Sequence, residues 1–310
     1  MPSKLYYPIP VDHTKYASSA SGDGRLPTSF DAYLYRPLDA GAGQLKLTIK
    51  LRLKLRQQSP RLIAHDADDK PFFSSPWSAT DWAQFVADAK AQADMWNNKF
   101  WLAPSPSFTQ FDRIFAHFPG QAYRPYIRCE LDVDFSDAKA SKTIDVANLN
   151  RVIMAAQGRP VGPGEFRSHW MLFDSLDGVP WATPYGKSPN APKTHHVIAH
   201  ELGHHLGLHH IGAIRKTPVC VFVQELKAKG IDHLFGPNAQ GGRNSLLCYG
   251  FGQALDVVDN IMGVGDKFTI DNASPWLWAI GSMRRHPYDM GLWRVLTSDP
   301  GDGFWVKVGS

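Results

Sequence analysis

Residues His200, Glu201, His204, Gly207 and His210 fall within one run of the chain, His-Glu-Leu-Gly-His-His-Leu-Gly-Leu-His-His, residues 200 to 210. On a helix, residues four apart share a face one turn apart, so His200 and His204 can aim both imidazoles at a single metal ion. Glu201 projects near the same ion, where a carboxylate can take a proton from a water and later hand it to a leaving amine. Gly207 stands where a helix can end in the left-handed turn that glycine adopts without steric cost. The chain can then double back and bring His210 round as a third ligand. Three protein ligands leave a fourth tetrahedral position open, which separates a catalytic zinc site from a closed structural one. The spacing therefore supports hydrolysis by a metal-activated water, with one Zn2+ as cofactor.

With every fixed position of H-E-x-x-H-x-x-G-x-x-H filled, the run resembles the metzincin clan of zinc metalloproteases, in its matrixin form. That clan carries a methionine turn beneath the metal, and Asp259-Asn260-Ile261-Met262-Gly263 matches it, with Met262 52 residues after His210. The resemblance implies an α+β catalytic domain. Its parts are a twisted mixed sheet, two long helices above the cleft, and a loop-rich lower subdomain in which Met262 floors the metal. It implies a zinc-dependent endopeptidase acting on a protein or peptide, with Glu201 as general base and acid. It also implies that Arg167 to Asp174, or Val179 to Tyr185, pairs with the substrate main chain. One departure is visible: Val264 stands two residues after the methionine, where some metzincins have a tyrosine. Tyr249 or Tyr288 fills that role only if the fold brings it close, and His209 is a further candidate substrate contact.

Other readings compete. Seven of the 13 histidines lie between 195 and 210, so a His-rich helix could bind metal without catalysis, although that needs neither Glu201 nor Gly207. A zinc amidase or deamidase acting on cell-wall peptides, or a toxin-like effector, would use the same water activation. Glu225 offers a thermolysin-like third ligand, but it lacks an aspartate four residues on and His210 already has the right spacing. His195, His196, His205 and His209 are expected at solvent or along the cleft.

The elements that position these residues read from periodicity. Leu45, Leu47, Ile49, Leu51, Leu53 and Leu55 alternate with Lys46, Thr48, Lys50, Arg52, Lys54 and Arg56, which predicts a long strand with one buried and one basic face. Residues 126 to 135 alternate in the same way, with Arg128, Glu130, Asp132 and Asp134 on the polar side. Opposite charges on adjacent strands should pair across the sheet, in preference to forming an anion site. Between the two runs, Ser78-Ala79-Thr80-Asp81 opens a helix with Trp82, Phe85, Val86, Ala89, Ala93 and Trp96 on one face. A strand-helix-strand unit of this kind predicts parallel neighbours. Pro192 and Gly207 bracket the helix that carries the histidines. Ser274-Pro275 opens another helix, and residues 291 to 308 read as a hairpin.

Residues 1–43 read as an extended N-terminal segment. The catalytic domain is then expected over 44–310, with an upper subdomain at about 44–207 and a lower one at about 208–310. An apolar content of 43% suffices for a core, and a net charge of +4 with dispersed basic residues gives no reason to expect nucleic acid as a partner. No apolar run reaches the length of a transmembrane helix, and the first residues lack a signal core. A cytoplasmic chain, or one exported by a non-classical route, is the resulting expectation; oligomeric state stays open. Cys129 falls on an apolar strand face, whereas Cys220 and Cys248 are either bridged or free.

Overall fold

The alternation that begins at Leu45 folds as the longest strand of a mixed α+β structure. The computed structural model describes residues 6, 8–18, 28–38, 43–60, 64–65, 71–105, 121–135, 140–156, 158, 168–180, 194–215, 255–283, 292–302 and 304–307. Its strands are β1 (Asp12–Ser18), β2 (Thr28–Tyr35), β3 (Leu45–Gln57), β4 (Ala64–His65), β5 (Pro71–Phe72), β6 (Trp101–Pro104), β7 (Gln121–Arg124), β8 (Ile127–Asp134), β9 (Lys142–Ala147), β10 (Leu172–Asp174), β11 (Trp293–Leu296) and β12 (Phe304–Lys307). The helices are α1 (Ala79–Asp94), α2 (Arg151–Ala156), α3 (Val197–His205), α4 (Ile211–Ile214), α5 (Leu255–Val258) and α6 (Ser274–Met283). None of the described helices is long and apolar enough to cross a membrane.

The main sheet runs β1-β2-β3-β8-β6-β11. β3 pairs antiparallel with β2 and parallel with β8, so the unit β3-α1-β8 places parallel neighbours side by side as its pattern predicts. From Leu53 onward β3 exchanges β8 for β9, again parallel, and β9 carries β10. The apolar side of β3 and β8, including Leu47, Ile49, Ile127 and Cys129, is fully buried. Burial also drives the Cys129 thiol pKa up. On the other side the charges pair across strands: Lys46 with Glu130 at 3.7 Å, Lys50 with Asp132 at 3.4 Å, and Arg52 with Asp31 at 3.7 Å. These half-exposed pairs add little stability, but they satisfy the basic face locally.

α1 starts where its sequence requires. Ser78 Oγ accepts from Asp81 N at 3.0 Å, satisfying one of the free N–H groups of the first turn. Its buried stripe, Phe85, Ala89, Ala93 and Trp96, packs into the core that the sheet shares with α3 and α6. Within the N-terminal segment, β1 and β2 pair with each other and extend the sheet at β3. Tyr16 of β1 stacks on Trp278 of α6 with centroids 5.8 Å apart.

Two expectations are corrected. Among the described helices only α1, with 16 residues, is long, because the histidine helix α3 has nine and is stopped by Gly207. Residues 291 to 308 do not close on themselves as a hairpin: β11 pairs with β6 and β12 with β7. Cross-strand partners reached over long sequence separations win there over the local turn. Glu225, Cys220, Cys248 and Pro192 lie outside the described residues.

Candidate metal centre

Helix α3 is anchored by its apolar back. Ile198, Ala199, Leu202 and Leu206 are fully buried, and the indole of Trp96, just beyond α1, donates to Ala199 O at 3.1 Å. The opposite face presents His200 and His204 one turn apart. His210 comes round to them, with its Nε2 3.1 Å from His204 Nε2. The nitrogens that the three histidines offer all lie within 4.8 Å of one another. Two nitrogens on a tetrahedral zinc, each about 2.05 Å from the ion, stand about 3.3 Å apart. The His204–His210 pair is already near that spacing.

The tautomers fit the same purpose. His200 Nδ1 lies 2.7 Å from Ile261 O, and His204 Nδ1 lies 2.7 Å from Leu208 O. A carbonyl only accepts, so each Nδ1 carries the proton and each Nε2 keeps the lone pair that a metal takes. His200 is buried, whereas His204 and His210 are partly exposed, which leaves one side of the cluster accessible.

The turn after α3 returns His210 to the cluster. Gly207 has φ +89°. Its N–H donates to His204 O at 2.9 Å, and Leu208 N donates to Gly203 O at 2.9 Å, the paired bonds of a Schellman ending. The reversal that returns His210 therefore also places Leu208 O on His204. Gly207→Ala should lose about 1–2 kcal/mol from the left-handed conformation and weaken metal binding, measured by chemical denaturation and chelator competition.

Met262 is fully buried against α3. A Cβ at Gly203 would lie 2.1 Å from Met262 Sδ, so glycine between the two ligand histidines is what admits the methionine. Met262 O accepts from Ile211 N at 3.0 Å, tying this turn to the residue after His210. A buried amide pair, Asn260 of the methionine turn with Asn272 beyond it, holds the turn itself. Asn260 Oδ1 accepts from Met262 N at 2.8 Å and from Asn272 Nδ2 at 3.1 Å, and Asn260 Nδ2 donates to Asn272 Oδ1 at 3.0 Å.

Glu201 is only 8% exposed and follows His200 directly on α3. His209 and His195 are partly buried, and His195 packs edge-on to His200 with ring centroids 5.6 Å apart. Val264 is buried in the position two beyond Met262. Tyr249 and Tyr288 lie outside the described residues.

His205 corrects the expectation of a solvent-facing or cleft residue, since it is 2% exposed. Its Nε2 lies 2.8 Å from Trp170 O, and its ring meets the Trp170 ring edge-on. Burial, reinforced by the charge of Lys142, lowers its pKa to about 3. An unfolded histidine binds a proton below about 6.5 and this one does not, so it contributes stability above that pH that is lost as pH falls toward 3. His205→Gln keeps a donor for Trp170 O and cannot titrate. The difference between its denaturation midpoint and that of the wild type should therefore shift in favour of the variant from pH 7 to pH 4.5.

β10 falls in the segment expected to pair with a substrate main chain, and among the described strands it pairs with β9 alone. Met171 O accepts from Asp145 N of β9, so in this parallel pair Leu172 and Asp174 face the free side. Leu172 exchanges both main-chain bonds with His169. Asp174 N donates to Asp177 Oδ2, and Asp174 O accepts from Asp177 N. Both N–H groups on that side are therefore taken by local bonds. Only Val179 and Pro180 of the alternative segment are described.

Compared with family models, curated proteins and solved structures, the chain matches none of them.

Proposed function

We propose that the chain is a zinc-dependent endopeptidase on the metzincin plan, with Met262 as the hydrophobic floor of the site. One observation carries this reading: three histidine nitrogens converge at the helix that also bears the buried Glu201, and two of the rings are set by main-chain carbonyls. Three imidazoles with an accessible side suit zinc better than hard cations, which take oxygen ligands. A bound zinc would supply Lewis acidity, polarising a scissile carbonyl and making a water a better nucleophile at neutral pH. Glu201 accepts the proton of that water on its carboxylate and passes it to the leaving amine nitrogen. His200 and His204 are held in register for this by Ile261 O and Leu208 O.

The direct test is metal analysis combined with digestion of a proteome-derived peptide library. The purified chain should carry about one zinc and cleave peptides; chelation should stop cleavage and added zinc should restore it. Absence of stoichiometric zinc, or cleavage indifferent to chelation, rules the proposal out.

A further inference from the structure

The described part of α3 begins without a side-chain cap of its own, since His196 at the cap position makes no such bond. The first N–H groups of a helix have no partner within it, and burying them unpaired is costly. Here the partner comes from another helix. Gln92 of α1, only 3% exposed, accepts from Ile198 N at 3.1 Å and from Ala199 N at 3.3 Å through Oε1. Its Nε2 donates to Asp177 O at 2.6 Å and Gly178 O at 2.9 Å.

A glutamine amide offers an oxygen with two lone pairs and a nitrogen with two hydrogens. All four are used, and the opposite amide orientation would set NH2 against two N–H groups. Ala199, whose N–H is held from one side, is also held at its carbonyl by Trp96. The next residue is His200, whose own N–H makes the first bond within the helix, to His196 O.

We propose that Gln92 is a positioning residue for the metal centre, a cap supplied in trans that fixes the first turn of α3 against α1 and the 177–178 segment. It touches neither metal nor substrate. It acts by holding the backbone from which His200 and Glu201 project. This rests on the metal-centre reading for its consequence, though not for the clamp itself.

The test compares Gln92→Met, Gln92→Glu and a control destabilised elsewhere, Leu34→Ala in β2, using the full chain. In metal-free protein, Gln92→Met should make the Ile198 and Ala199 amides exchange with solvent about tenfold faster relative to the rest of α3. Gln92→Glu keeps the acceptor for Ile198 N and Ala199 N but gives up the donors to Asp177 O and Gly178 O, so exchange at both positions should be slower than in Gln92→Met and faster than in the wild type. Zinc affinity by chelator competition should fall about tenfold in Gln92→Met, and Leu34→Ala should match the wild type. Unchanged exchange in Gln92→Met, or equally fast exchange in the Glu variant, overturns the clamp. Selective exchange with unchanged zinc affinity overturns its role in positioning. A wild type that binds no zinc instead overturns the metal centre, and the exchange data still decide the clamp. If Gln92→Met does not fold, Gln92→Asn, whose amide is one carbon too short to hold both segments, takes its place, and unchanged exchange at Ile198 and Ala199 in it overturns the clamp.

Discussion

Glu201→Gln should keep its zinc and lose about 100- to 10,000-fold in kcat/KM for peptide hydrolysis. The substitution is nearly isosteric, and its site is 8% exposed beside a buried ligand, so the fold of α3 has little reason to change. What changes is proton affinity: an amide cannot accept a proton from the attacking water. Metal content and turnover therefore separate. His204→Ala should lose both together, because it removes a ligand whose Nδ1 is already held by Leu208 O. Zinc stoichiometry by native mass spectrometry and peptide-cleavage rates, measured on the same preparations, distinguish the two patterns. A metal-binding module without catalysis would show no cleavage to lose, and an amidase would show the loss on cell-wall peptides alone. Equal cleavage by wild type and Glu201→Gln would remove Glu201 from the mechanism.

The histidine cluster is legible in the sequence because its geometry is local. Four-residue spacing on a helix and a glycine that turns the chain specify where His200, His204 and His210 point, with few alternatives. The long strands are legible for a similar reason, since a period of two leaves only one way to bury Leu45 to Leu55. Their charge pairing followed from the same alternation. Pairings made between distant segments are not legible. Nothing near residue 293 says that β11 will seek β6, and His205 reads as polar until Trp170 O is brought beside it. Gln92 and the Asn260–Asn272 pair show the same limit. Each is an ordinary amide in sequence, and acquires its role only when buried N–H and C=O groups from other segments close around it.

Gly203→Val is the substitution expected to damage the centre most without touching a ligand. Alanine here would gain roughly 1 kcal/mol in helix propensity over glycine. Packing outweighs that gain: the first added carbon already lies 2.1 Å from Met262 Sδ and 3.3 Å from Trp96 Cζ2, and Met262 has no exposed surface toward which to move. Overpacking of a closed core costs about 1–3 kcal/mol, and the branched valine belongs at the upper end. The displacement should also reach the metal. Met262 follows Ile261, whose carbonyl holds His200, so chelator competition should show at least about a tenfold loss of zinc affinity. A double-mutant cycle makes the cause specific. Met262→Ala alone should cost about 2–5 kcal/mol by leaving a cavity, but in a Gly203→Ala background its cost should drop by about 1 kcal/mol or more, because the new methyl occupies part of the space vacated. Additive effects would mean that glycine at 203 serves some purpose other than admitting the methionine between the two ligand-bearing turns.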